Sequence, residues 1–248
     1  MKMKRTLFVA GLMGAFGLAK LDAAAVFERV IQFSGYDWYV KASGGVRVGP
    51  GPNRFSDDAA NVWVDDQGRL HLKITRTKNV YRCAEVVSAL SFGHGTYRWY
   101  LDSPVDAMDP NVVLGLFTWS DTSPYANGEI DIEFSRWGKA SSPNSQFVVQ
   151  PYSDPGHRWR FLLPSGALQT THSFTWRPTD VFFESLLGHP PEPVDPGLIL
   201  QQYLFQEPWL IPTDENARIN LWLYRGSSPA ATAQPEVVIR AFEFVPLP

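Results

Sequence analysis

NGEIDIEFSRWG, residues 127–138, alternates without a slip: Glu129, Asp131 and Glu133 take every second position, and Ile130, Ile132 and Phe134 take the positions between. Successive side chains of an extended strand point to opposite faces, so this period of two predicts a strand with three carboxyls on one face and an apolar trio on the other. The apolar face belongs in a core and the acidic face outside it, as in a sheet that packs on one side only.

The same alternation recurs outward in both directions. GRLHLKIT (68–75), GTYRWYLD (95–102), NVVLGLFTWS (111–120), SQFVVQPY (145–152), HSFTWRP (172–178), TDVFFES (179–185), ARINLWLYR (217–225) and EVVIRAFEFVPL (236–247) all read as short strands between turn signals. Their number and spacing predict an all-β chain of two antiparallel sheets packed face to face, a sandwich. ASGGVRVGPGPNRFSDD (42–58) and GHPPEPVDPG (188–197) are Gly/Pro-rich loops rather than linkers, because the strand pattern does not change across them. Only LILQQYLFQEPWLI (198–211) reads as partly helical. With 248 residues, 44% of them hydrophobic, and no internal repeat, one domain over 26–248 is expected to have an ample core.

Residues 1–25 are set apart. MKMKR is a basic head, TLFVAGLMGAFGLA an apolar stretch too short to span a bilayer, and LDAAA a small-residue stretch suited to cleavage, which together predict a secretory signal peptide and a secreted or periplasmic protein. Its removal takes four cations and one anion from the chain, moving the net charge from −3 to −6. An acidic chain without Lys/Arg runs is poorly suited to nucleic acid, and no anchoring signal ties the cleaved protein to a membrane. Cys83 is the single cysteine and the five histidines show no ligand spacing, so neither a disulfide nor a catalytic metal is expected, and no cofactor is required.

Three acids on one strand face repel one another, where ordinary exposed strands mix Thr, Lys and Glu. A solvated face and a calcium site are the bland readings, although hard cations draw ligands from turns and carbonyls, and a structural calcium has no support in the sequence. The chemical reading is glycoside hydrolysis with retention, which uses two carboxyls about 5–5.5 Å apart. Four strand residues separate the Cα atoms of Glu129 and Glu133 by roughly 13 Å, so both side chains must lean toward Asp131. Asp131 would hold a proton or hydrogen bond between them and help to separate their pKa values.

GEIDIEF (128–134) resembles the E-x-D-x-E strand of glycoside hydrolase family 16, in the form without a bulge residue found in lichenases and xyloglucan endotransglycosylases. The resemblance implies Glu129 as nucleophile, Asp131 as its assistant and Glu133 as acid/base, on a jelly-roll sandwich of the concanavalin A type. CAEVVSALSFGHGTYRWYL (83–101) is similar to the segment that carries a sugar-binding Glu, here Glu85. LGLFTWS (114–120) places Trp119 at a position usually aromatic in the cleft, FVVQPYSDPG (147–156) points to Gln150, and INLWLY (219–224) marks Asn220 and Trp222. Asn53, in the tight GPGPNRF loop (49–55), is a further candidate for binding sugar, alongside its reading as an ordinary turn. His172 and Trp176, in the segment similar to the family's His-to-Trp-x-Pro element, read as structural. Two departures stand out: Asn127 and Val87 occupy positions where lichenases carry Trp and Arg.

The expectation is therefore an exported, monomeric retaining endo-β-glycosidase acting on a polysaccharide, most simply of β-glucan type. A transglycosylase shares its chemistry, and a carbohydrate-binding lectin-like sandwich without catalysis remains a rival of a different class.

Overall fold

The computed structural model describes residues 26–206, 211–229 and 234–248; the expected signal peptide lies outside them. Ile130, Ile132 and Phe134 are fully buried, as the alternation requires, and the rest of the chain folds around that layer. The strands in chain order are β1 (Val26–Phe33), β2 (Tyr36–Ala42), β3 (Val62–Val64), β4 (Leu70–Lys73), β5 (Thr75–Thr77), β6 (Val80–Arg82), β7 (Ala84–Ser91), β8 (Gly95–Leu101) and β9 (Val112–Trp119). They continue with β10 (Ile130–Phe134), β11 (Ser145–Val149), β12 (Arg158–Phe161), β13 (Thr170–Trp176), β14 (Val181–Leu187), β15 (Ile199–Phe205), β16 (Asn216–Leu223) and β17 (Glu236–Pro246). The described residues contain no α-helix.

One sheet runs β1-β2-β7-β16-β9-β10-β11-β12 and the other β15-β14-β13-β8-β17-β4-β3, with β5-β6 as a separate hairpin. Every strand pairing is antiparallel. Aromatic side chains join the two layers. Phe147 of β11 stacks on Phe183 of β14 with ring centres 4.9 Å apart, and Phe134 of β10 meets His172 of β13 at 4.6 Å. His172 is fully buried between the hydroxyls of Ser185 and Thr170, and burial pushes its pKa down to about 3, so it packs as a neutral ring.

Each strand read from the sequence falls on an observed one. The segment expected to be partly helical is corrected over its described part: residues 199–205 form β15, an edge strand paired along β14, where Gln202 donates to Glu184 at 2.5 Å. The apolar residues there satisfy helical spacing locally, but the open edge of β14 offers a full ladder of backbone partners, and that ladder decides the conformation.

Candidate active site

β10 lies well inside its sheet, between β9 and β11. Asp131 pairs with Phe117 and Val148, and Glu133 with Gly115 and Gln146. Directly paired residues share a face, so the acidic side of β10 continues across β9 to Arg218 and Asn220 on β16 and across β11 to Arg158 and Arg160 on β12. Glu129 stands in extended backbone one residue before β10, at φ −86° and ψ 116°. The turn that delivers it needs Gly128: φ there is +58°, and a Cβ would lie 2.2 Å from Glu215 Oε1.

Glu129, Asp131 and Glu133 line a cleft of about 780 Å³, roofed by residues 47–52. All three carboxyls are displaced upward. Burial, then the charge of Glu133, pushes Glu129 up to about 8, while a hydrogen bond from Asp131 and the charge of Arg218 pull the other way. Burial and the two flanking glutamates hold Asp131 well above the ordinary carboxylate range. Asp131 accepts from Gln150 Nε2 at 3.1 Å and, being protonated, donates to Glu129. Burial raises Glu133 to about 7, opposed by Gln146 and by the charges of Arg160 and Arg158. Gln146 Nε2 donates to Glu133 Oε2 at 2.6 Å and is held in turn by Arg160 Nε at 3.0 Å. The set therefore shares protons near neutrality and titrates as a unit rather than as three independent acids.

The neighbouring strands place the other candidates. Glu85 lines the cleft, buried, but its carboxylate is already bound to Lys41 Nζ at 2.8 Å, with Arg218 at 3.7 Å. Lys41 also donates to Gly49 O at 2.9 Å, tying the roof loop to the sheet. Asn220 Oδ1 is buried in the cleft wall with no hydrogen-bond partner, an acceptor aimed at whatever enters. Its room comes from Gly115, where a Cβ would sit 2.6 Å away. Trp119 and Trp222 both line the cleft, Trp119 with its Nε1 held by Asp121 at 2.8 Å and Trp222 buttressed edge-on by Trp137.

Two candidates sit elsewhere than on the cleft wall. Asn53 is buried, and its Nδ2 donates to Pro50 O and Leu223 O, both at 2.8 Å, so it staples the roof loop to the end of β16. Gln150 follows β11 opposite Glu129, on the same sheet face as the acids, and spends its side-chain amide on Asp131. Sequence reading missed Lys41, Gln146, Arg160 and Arg218. Arg218 lies directly across the ladder from Val87, where an arginine was noted as absent, and its charge reaches Glu85. The signal was present in the alternation Arg218, Asn220, Trp222, which puts all three on one face.

No protein-family model and no curated protein sequence matches the chain. Solved structures do. The chain is similar to a β-glucanase of Bacillus licheniformis (TM-score 0.61, 20% identity, 89% of this chain and 97% of that one). It is also similar to a β-1,3-1,4-glucanase (lichenase) from a mouse hindgut metagenome (0.58, 21%, 85% and 93%). A third similar structure is a protein of Mycobacterium tuberculosis described as a pseudo β-1,3-glucanase (0.59, 20%, 82% and 88%). At these identities what is shared is the fold, a jelly-roll sandwich.

Proposed function

We propose that the chain is a retaining endo-β-glycosidase of the family 16 type, exported by its leader and acting as a single chain on a polysaccharide. The observation that carries this reading is the carboxyl trio in a cleft, all three groups displaced toward neutrality, with Asp131 bonded to Glu129. In the protonation state where Glu129 has given up its proton and Glu133 holds one, Glu129 attacks the anomeric carbon as Glu133 gives its proton to the departing glycosidic oxygen, leaving an ester between Glu129 and the sugar. Glu133, now a carboxylate, takes a proton from water, whose oxygen displaces Glu129 and restores the anomeric configuration. Asp131 donates to Glu129 and favours its anion, while Gln146, backed by Arg160, orients Glu133. Asn220 Oδ1 would accept from a sugar hydroxyl, and Trp119 and Trp222 offer apolar faces to sugar rings. A β-glucan is the first candidate for the unit bound on this side of β10, by analogy with the glucanases of like fold.

The test is the anomer first released on hydrolysis, followed by NMR. Retention with loss of turnover in Glu129→Gln supports the reading, and inversion or an active Glu129→Gln variant overturns it. A binding sandwich without turnover is the second reading, favoured by Asn127 in place of the family's Trp and by the pseudo-glucanase among the similar folds.

A further inference from the structure

The concave sheet face carries positive charge on both sides of β10: Lys41, Arg47 and Arg218 line the cleft on one side, and β12 bears Arg158 and Arg160 beside it on the other. Lys41 is paired with Glu85, and Arg218 with Glu85 and with Asp121 at 3.3 Å. On the other side, Arg158 and Arg160 stand two residues apart on β12, facing the same way as Gln146 and Glu133. Both are exposed, and among the described residues neither forms an ion pair. Each lies instead over an aromatic ring, Arg158 over Tyr152 at 5.4 Å and Arg160 over Trp137 at 5.7 Å, and Arg160 spends only its Nε, on Gln146. A guanidinium laid on a ring keeps its remaining N–H groups in plane and pointing outward, an arrangement suited to two oxygens of one anion. The two like charges repel each other, and the carboxyl whose charge reaches both, Glu133, is half-buried and shares its proton, on a chain whose net charge is −3.

We infer that the sheet face over β11 and β12, beside the cleft, is a subsite for a negatively charged sugar, bearing a carboxylate or a sulfate ester, on one side of the cleaved bond. This rests on the glycosidase reading for its orientation but not for its binding energy. Edge strands also carry charge simply to discourage pairing with other chains, and β12 is an edge, so the experiment must separate the two roles.

The probes are one backbone in three states: lichenan, lichenan oxidised at C6 to the carboxylate, and lichenan sulfate. Binding of the Glu129→Gln protein is measured by affinity electrophoresis at low and at moderate salt. A charged form should bind at least tenfold more tightly than lichenan at low salt, lose that advantage as salt screens it, and lose most of it in Arg158→Gln while lichenan binding and the thermal melt hold. The oxidised and sulfated arms tell carboxylate from sulfate. Equal binding of all three, or a charged-glycan preference that survives Arg158→Gln undiminished, overturns the inference. An Arg158→Gln variant that only aggregates more, with binding intact, also overturns it and leaves the arginines as edge protection. Failure to release sugar from any glycan would sink the hydrolase reading without touching this result.

Discussion

Glu129→Gln should make the protein more stable, and only above acidic pH. The folded chain raises Glu129 from its ordinary 4.5 to about 8, chiefly by burial and by the charge of Glu133. Below pH 4.5 folded and unfolded chains both carry the proton, and the site costs nothing extra. Between there and pH 8 the unfolded chain releases the proton while the folded chain keeps it, so stability falls as pH rises through that window. At roughly 1.4 kcal/mol per pH unit the full displacement would be worth about 5 kcal/mol. Glu129 keeps an edge in water and shares protons with its neighbours, which brings the expected gain from Glu129→Gln to about 2 kcal/mol at pH 8. For a domain of this size that is about 4–8 °C in Tm. Thermal melts of both proteins at pH 4.5, 6 and 8 read it directly. A gain that is absent at pH 8, or that grows as pH falls, refutes the reasoning.

His172 should work in the opposite sense. Its pKa is pushed down to about 3, so from pH 6.5 downward the unfolded chain gains a proton that the folded chain refuses, and stability falls with pH; in His172→Gln the slope of Tm against pH between 6.5 and 3 should be visibly shallower. Lys41→Met leaves the buried Glu85 without its close partner and frees the roof loop from the sheet, a loss of about 3–5 kcal/mol by urea denaturation, much of it recovered in Lys41→Met/Glu85→Leu. Gly115→Ala sets a methyl 2.6 Å from Asn220 Oδ1; the fold should persist while KM rises several-fold, and an unchanged KM would remove Asn220 from substrate binding.

The period of two in residues 127–138 was enough to set the face of each carboxyl, because one side of β10 is the core between the sheets and a one-residue slip would turn all three acids from the cleft into that core. The strands that escaped notice are mostly edge strands or strands near the edge. β12, Arg-Trp-Arg-Phe, puts Trp159 against Tyr203 rather than into the interior, and β15 mixes apolar residues at helical spacing. At the site, the trio was legible because it is local. Lys41 meeting Glu85, Arg218 lying across from Val87, and Arg160 backing Gln146 are products of the ladder, joining residues 14 to 131 positions apart. Asn53 looked like a binding residue because its loop is tight; that tightness is what Asn53 itself provides.

The most direct test of the central claim is reducing-sugar release by residues 26–248 from lichenan, laminarin, xyloglucan, agarose and carrageenan side by side, with Glu129→Gln as control. Release from at least one glycan, abolished in the variant while its fold is intact, is the predicted result. A folded protein that releases nothing from any of them, or a Glu129→Gln variant that matches the parent, contradicts it.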